Sequence, residues 1–160
     1  GNPTVTTNDY SGALTVTLSC ETIVYRDIDT TTPFDVTALT GTNVAADTFT
    51  PTGVTTVTDN AWAISVVQTS DDNALALLAG SEQGFTARIS GANYDWTTGF
   101  DGAHGEADKA IASAGAVTFP TWDETAVGTD SWAFISDALR PAGAAAYTSP
   151  TTKALTGVGV

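Results

Sequence analysis

Between Thr58 and Val67 the chain reads TDNAWAISVV, with Trp62, Ile64 and Val66 on one side of an extended backbone and Ala61, Ala63 and Ser65 on the other. Side chains alternate with period two along a strand, so this stretch is predicted to be a strand with one bulky face and one small face. A near-copy, TDSWAFISDAL, returns at Thr129 to Leu139, with Trp132 and Phe134 on one side and Ile135 and Leu139 opposite. Two aromatic-rich strands of this kind can nucleate the core of a sheet-on-sheet fold.

The rest of the chain reads the same way. Leu14, Val16, Leu18, Cys20 and Val24 share a face against Thr15, Thr17, Ser19 and Glu21, which predicts a half-buried strand, or two strands with a bend near Cys20. Tyr25 to Val36, YRDIDTTTPFDV, leaves it as a polar loop, in which Pro33 cannot donate to a ladder. Arg26 is the expected ion-pair partner of the Asp27, Asp29 and Asp35 cluster. Ala38 to Val57 is predicted to be connection with at most short strands. Gln68 to Asn73 is a turn, and Ala74 to Ala79 suits a short strand or a single helical turn. Gly84 opens a strand with Phe85, Ala87 and Ile89 on one face and Thr86, Arg88 and Ser90 on the other. Gly91 to Gly105 is predicted to be a long loop carrying Tyr94, Trp96 and Phe100. Two more strands, ADKAIAS and AVTF, follow within Ala107 to Phe119.

The prediction is all-β: a single-domain antiparallel β-sandwich, jelly-roll or concanavalin-like, over residues 1–140. Residues 141–160 lack alternation and read as a low-complexity C-terminal arm, disordered or docked on a neighbour. The start at Gly1-Asn2-Pro3, without Met, reads as a processed terminus or as a piece missing its first strands.

Composition narrows the function. The 160 residues carry 18 acids against 5 bases, a net charge of −13. Binding a phosphate backbone needs clustered Lys and Arg, so a nucleic-acid partner is not expected. No apolar run approaches a membrane span, so membrane insertion is not expected either. The lone Cys20 fits a buried small side chain better than a nucleophile.

Candidate chemistry is sparse. His104, the only histidine, has no nucleophile setting around it. Asp101, Glu106 and Asp108, with His104 and Asp95 near, offer oxygen donors for calcium, against the plainer reading that an acidic loop is solvated. Asp71 and Asp72 carry the same weak signal. Most acids fall in predicted turns; Asp137 lies inside a strand, and a single acid is not a glycosidase dyad. Tyr94, Trp96 and Trp122 could form a platform on which a sugar ring stacks. The competing role for these rings is to plug one end of the sandwich. No catalytic residue is assigned and no enzyme activity is expected.

The order YRDIDTTTPFDV, TDNAWAISVV, GFTARISG, ADKAI…AGAVTFPTW and TDSWAFISDALRP resembles a family of β-sandwich proteins of tailed bacteriophages and prophages. There a YRGVD-T-TPFD-like segment precedes similar strands, and a W-x-x-x-x-x-x-L-[KR]-P-like segment closes the domain. The resemblance spans Tyr25 to Pro141, and Asp27 stands where the family carries Gly. It implies a virion structural component: a capsid-surface decoration protein, or a tail or fibre subunit. The implied partners are a major capsid or tail protein and copies of the chain itself, with a host surface glycan as a further candidate. The alternative is a carbohydrate-binding or adhesin module.

Overall fold

The computed structural model describes residues 22–70, 73–94, 102–125 and 129–143. The predicted 14–20 strand, Asp71, Asp72, Trp96, Asp101 and the arm from 144 lie outside the described residues. Among these there is no helix and there are ten strands: β1 (Leu39–Ala46), β2 (Thr48–Phe49), β3 (Val54–Thr55), β4 (Ala61–Thr69), β5 (Leu75–Leu77), β6 (Thr86–Tyr94), β7 (Gly102–Ile111), β8 (Ala116–Val117), β9 (Trp122–Glu124) and β10 (Asp130–Leu139). All pairing among the described residues is antiparallel. One sheet has the order β1-β10-β4-β7-β6, a second β2-β9-β5, and β3 pairs with β8. The sheets are open, as expected for a sandwich.

The two aromatic-rich segments pair directly as β4 and β10, with Trp62 opposite Leu139 and Thr69 opposite Trp132. Their inward faces differ in kind. From β10 it is the bulky side, Trp132 and Phe134, that turns to the core; from β4 it is the small side, Ala61, Ala63, Ser65 and Val67. The reason lies on the second sheet. Trp122 of β9 drops its indole onto β4 and β7, is fully buried, and donates Nε1–H to Ser65 Oγ at 3.2 Å. A Cβ on Gly105 of β7 would sit 2.5 Å from the ring, so only glycine fits beneath it. Phe85 packs on Phe119 and Phe49 on both Trp132 and Phe134, with ring centroids 5.3–5.7 Å apart.

Two expectations are corrected here. LTGTNVAA within the predicted connection is a full edge strand, β1, laid along β10. It was obscured by Thr and Gly, yet Gly41 is needed because a Cβ there would come within 2.6 Å of the Phe134 ring. The predicted long aromatic loop is also shorter, because β6 runs on to Tyr94 and β7 begins at Gly102.

The YRDIDTTTPFDV segment is a clasp across the end of β10. Ile28 bridges Pro141 and Phe34 bridges Leu139. Backbone amides of Asp29, Asp35, Arg140 and Ala142 donate across the seam to carbonyls of Arg140, Ala138, Pro33 and Asp27 at 2.7–3.0 Å. Asp29 closes its own turn by accepting from the Thr31 and Thr32 amides and the Thr32 hydroxyl, which holds its carboxyl below the usual range. Asp35 is buried. Its Oδ2 accepts from the Val57 and Thr58 amides at 2.7 and 3.2 Å, and its Oδ1 faces Arg140 Nε at 3.4 Å. The partner of this acid is therefore Arg140, 105 residues away, and not the neighbouring Arg26.

Candidate functional site

The outer face of the five-stranded sheet carries the most concentrated polar chemistry among the described residues. Alternation along β7 puts Gly105 and Ala107 inward and Glu106 and Asp108 outward. Register places Glu106 beside Val66 of β4 and Ile89 of β6, and Asp108 beside Ile64 and Thr86. Both acids are buried. The start of the clasp lies over them, and the Tyr25 hydroxyl sits 2.7 Å from Glu106 Oε1 and 3.0 Å from Asp108 Oδ2. Arg88, on the neighbouring strand, grips Asp108 with Nε at 3.0 Å from both oxygens and Nη2 at 2.8 Å from Oδ1. The fork-shaped guanidinium suits this two-point grip better than an ammonium would.

The three acidic and phenolic groups are short of protons. A phenol has one hydrogen and here faces two carboxylates. Asp108 has Arg88 to balance its charge. Glu106 has no such direct grip: burial pushes its carboxyl above the ordinary range and the Asp108 charge adds to this, against the opposing hydrogen bond from Tyr25 and the charge of Arg88. Its Oε2 is buried with no partner among the described residues. Protonating Glu106 would relieve the shortage. Burial first, and then Glu106, push the Tyr25 phenol well above its usual value, so it remains a donor.

A pH dependence follows. A carboxyl whose folded value lies above its unfolded one favours the folded state while protonated, so its contribution is lost as pH rises from the ordinary 4.5 through the raised range. Unfolding free energy measured in urea at successive pH values is expected to fall over that interval. In Glu106→Gln, which cannot ionise, that part of the slope should vanish; an unchanged slope would place the proton elsewhere.

A cleft of about 530 Å³ opens beside this cluster. It is lined by Tyr25, Arg26, Asp27, Trp62, Arg88 and Asp108, among others. The Tyr25 and Trp62 rings lie 6.1 Å apart at 54°.

The sequence-predicted site residues fare unevenly. Trp122, assigned to a sugar platform, is in the core and offers no face to solvent. Tyr94 ends β6 and lies on the other sheet from Trp122, and Trp96 lies outside the described residues. Of the calcium donors, Glu106 and Asp108 are together, but on a strand rather than a loop, and are engaged by Tyr25 and Arg88. Among the described residues no three His, Cys, Asp or Glu side chains converge to hold a metal ion. His104 is likewise on β7, paired opposite Gln68. Asp137 is half-buried on the outer face of β10, its carboxyl raised by burial and accepting from the Ala138 amide. Sequence reasoning missed Arg88 and Tyr25 as site residues. The available signal was the alternation of β7, which separates HGEADKA into an acidic and a small-residue face.

Among the described residues no helix is long and apolar enough to cross a membrane. Comparison with known proteins finds no matching family model, no matching curated protein and no matching solved structure.

Proposed function

We propose that this chain is a structural module of a tailed-phage particle, a capsid-surface decoration protein in the first instance, with a tail or fibre subunit as the other placement. In this reading the two sheets form a jelly-roll or concanavalin-like sandwich on the outside of the virion. Its partners are the major capsid or tail protein and further copies of itself. The carrying observation is at Asp27. The residue has φ = 58°, in the left-handed region that non-glycine residues rarely adopt. It is also the one position where the phage motif has Gly, so the backbone supports the resemblance at the very place where the residue departs from it.

The motifs at the two ends of the resemblance add to this. YRDIDTTTPFD and LRP are far apart in sequence, and they interlock as one clasp. A motif pair that holds a scaffold closed suits a protein whose task is to occupy a surface. The acidic charge keeps such modules apart until they meet their lattice. The proposal assigns no reaction to the chain.

Antibody against the chain, applied to purified phage particles from its host, tests the placement by electron microscopy. A regular label over the capsid lattice is expected. Label confined to the tail would select the other placement, and its absence from intact particles would overturn the proposal.

A further inference from the structure

We infer that the cleft between the segment 23–27 and strands β4, β6 and β7 is a binding site for a neutral saccharide. The inference concerns what the cleft binds wherever the chain is displayed, and does not rest on the particle reading. Its lining combines the two surfaces that a sugar ring needs. Trp62 and Tyr25 supply apolar aromatic surface for the C–H face of a pyranose. The exposed guanidinium of Arg26, the part-exposed guanidinium of Arg88 and the Asp27 carboxylate supply donors and acceptors for hydroxyls. The volume, about 530 Å³, falls within the range of small-molecule sites.

Charge selects the class of sugar. Two of the chain's five basic residues line this one cleft, where two carboxylates offset them. The cleft is thus formally neutral inside a molecule of net charge −13. An acidic sugar meets no excess of positive charge there and is repelled by the surrounding field. A neutral polyhydroxyl ligand meets neither obstacle. The site is also held in place before a ligand arrives. Arg88 is fixed by Asp108, and Asp108 by Tyr25, yet the Arg88 side chain keeps 44% of its surface exposed. A side chain held in one orientation loses little freedom on binding.

The test is a glycan array bearing neutral and acidic oligosaccharides, probed with the whole chain, followed by calorimetric titration of the best neutral sugar. Trp62→Ala is expected to weaken binding by about tenfold or more, through loss of the stacking face. Arg26→Ala, an exposed substitution that leaves the core untouched, should weaken it several-fold even if Trp62→Ala fails to fold by circular dichroism. Four results would overturn the inference: no neutral sugar retained by the wild type, retention only of sialylated or uronic-acid glycans, affinity unchanged in every folded variant, or binding abolished by Trp96→Ala while Trp62→Ala binds normally.

Discussion

Trp122→Ala is expected to cost the domain about 3–5 kcal/mol, the usual range for deleting a fully buried large aromatic side chain. The ring fills the space between β9 and the small faces of β4 and β7. Its loss leaves a cavity over Gly105, Ser65 and their neighbours, and leaves the Ser65 hydroxyl without the indole donor. A domain this size has only about 5–15 kcal/mol of stability in total, so the variant should melt far earlier or fail to fold. The reverse experiment probes the same contact. Gly105→Ala pushes a methyl into the ring and is expected to cost about 1–3 kcal/mol. In the Trp122→Ala background the same methyl enters empty space, and its cost should disappear. Urea unfolding of the two single variants and the double variant gives that coupling directly. Additive costs would mean that the indole does not rest on Gly105.

Asp35→Ala is the second large effect, at about 2–3 kcal/mol. The substitution strips the Val57 and Thr58 amides of their acceptor and leaves Arg140 facing an uncharged site at the clasp. Asp35→Asn keeps an acceptor and loses only the charge, so it should recover about half of the loss. The pH behaviour separates this site from Glu106. Burial acts to raise the Asp35 carboxyl, but the hydrogen bonds from Thr58 and Val57, together with Arg140, outweigh it and hold it below its ordinary 3.8. Its stabilising contribution is complete at neutral pH and is lost as acid takes the pH down through that lowered range. Wild type should therefore lose an acid-side increment of stability that Asp35→Ala lacks. If both fall equally on acidification, the clasp is held by its backbone ladder alone.

The difference between these two carboxylates shows how the same chemistry acquires opposite behaviour. Asp35 has two amides and a guanidinium aimed at it. Glu106 has one phenol that it shares with a second acid. Sequence position gave no hint of which would be which, because the partners come from 22, 23 and 105 residues away for Asp35 and from 81 residues away for Glu106.

Alternation along the chain determined the strands that it could mark clearly. TDNAWAISVV and TDSWAFISDAL became β4 and β10, because a period of two in side-chain size is a local property of an extended backbone. The absence of helical periodicity likewise determined the all-β class. Tertiary structure alone decided which face of each strand turns inward. Trp62 is as bulky as Trp132, yet only Trp132 is in the core, because the inward side of β4 is already matched to Trp122 of the opposite sheet. Tertiary structure also decided the site. Tyr25, Arg88, Glu106 and Asp108 meet through strand register and a clasp closed over more than a hundred residues, and register depends on pairing partners that no local stretch can specify.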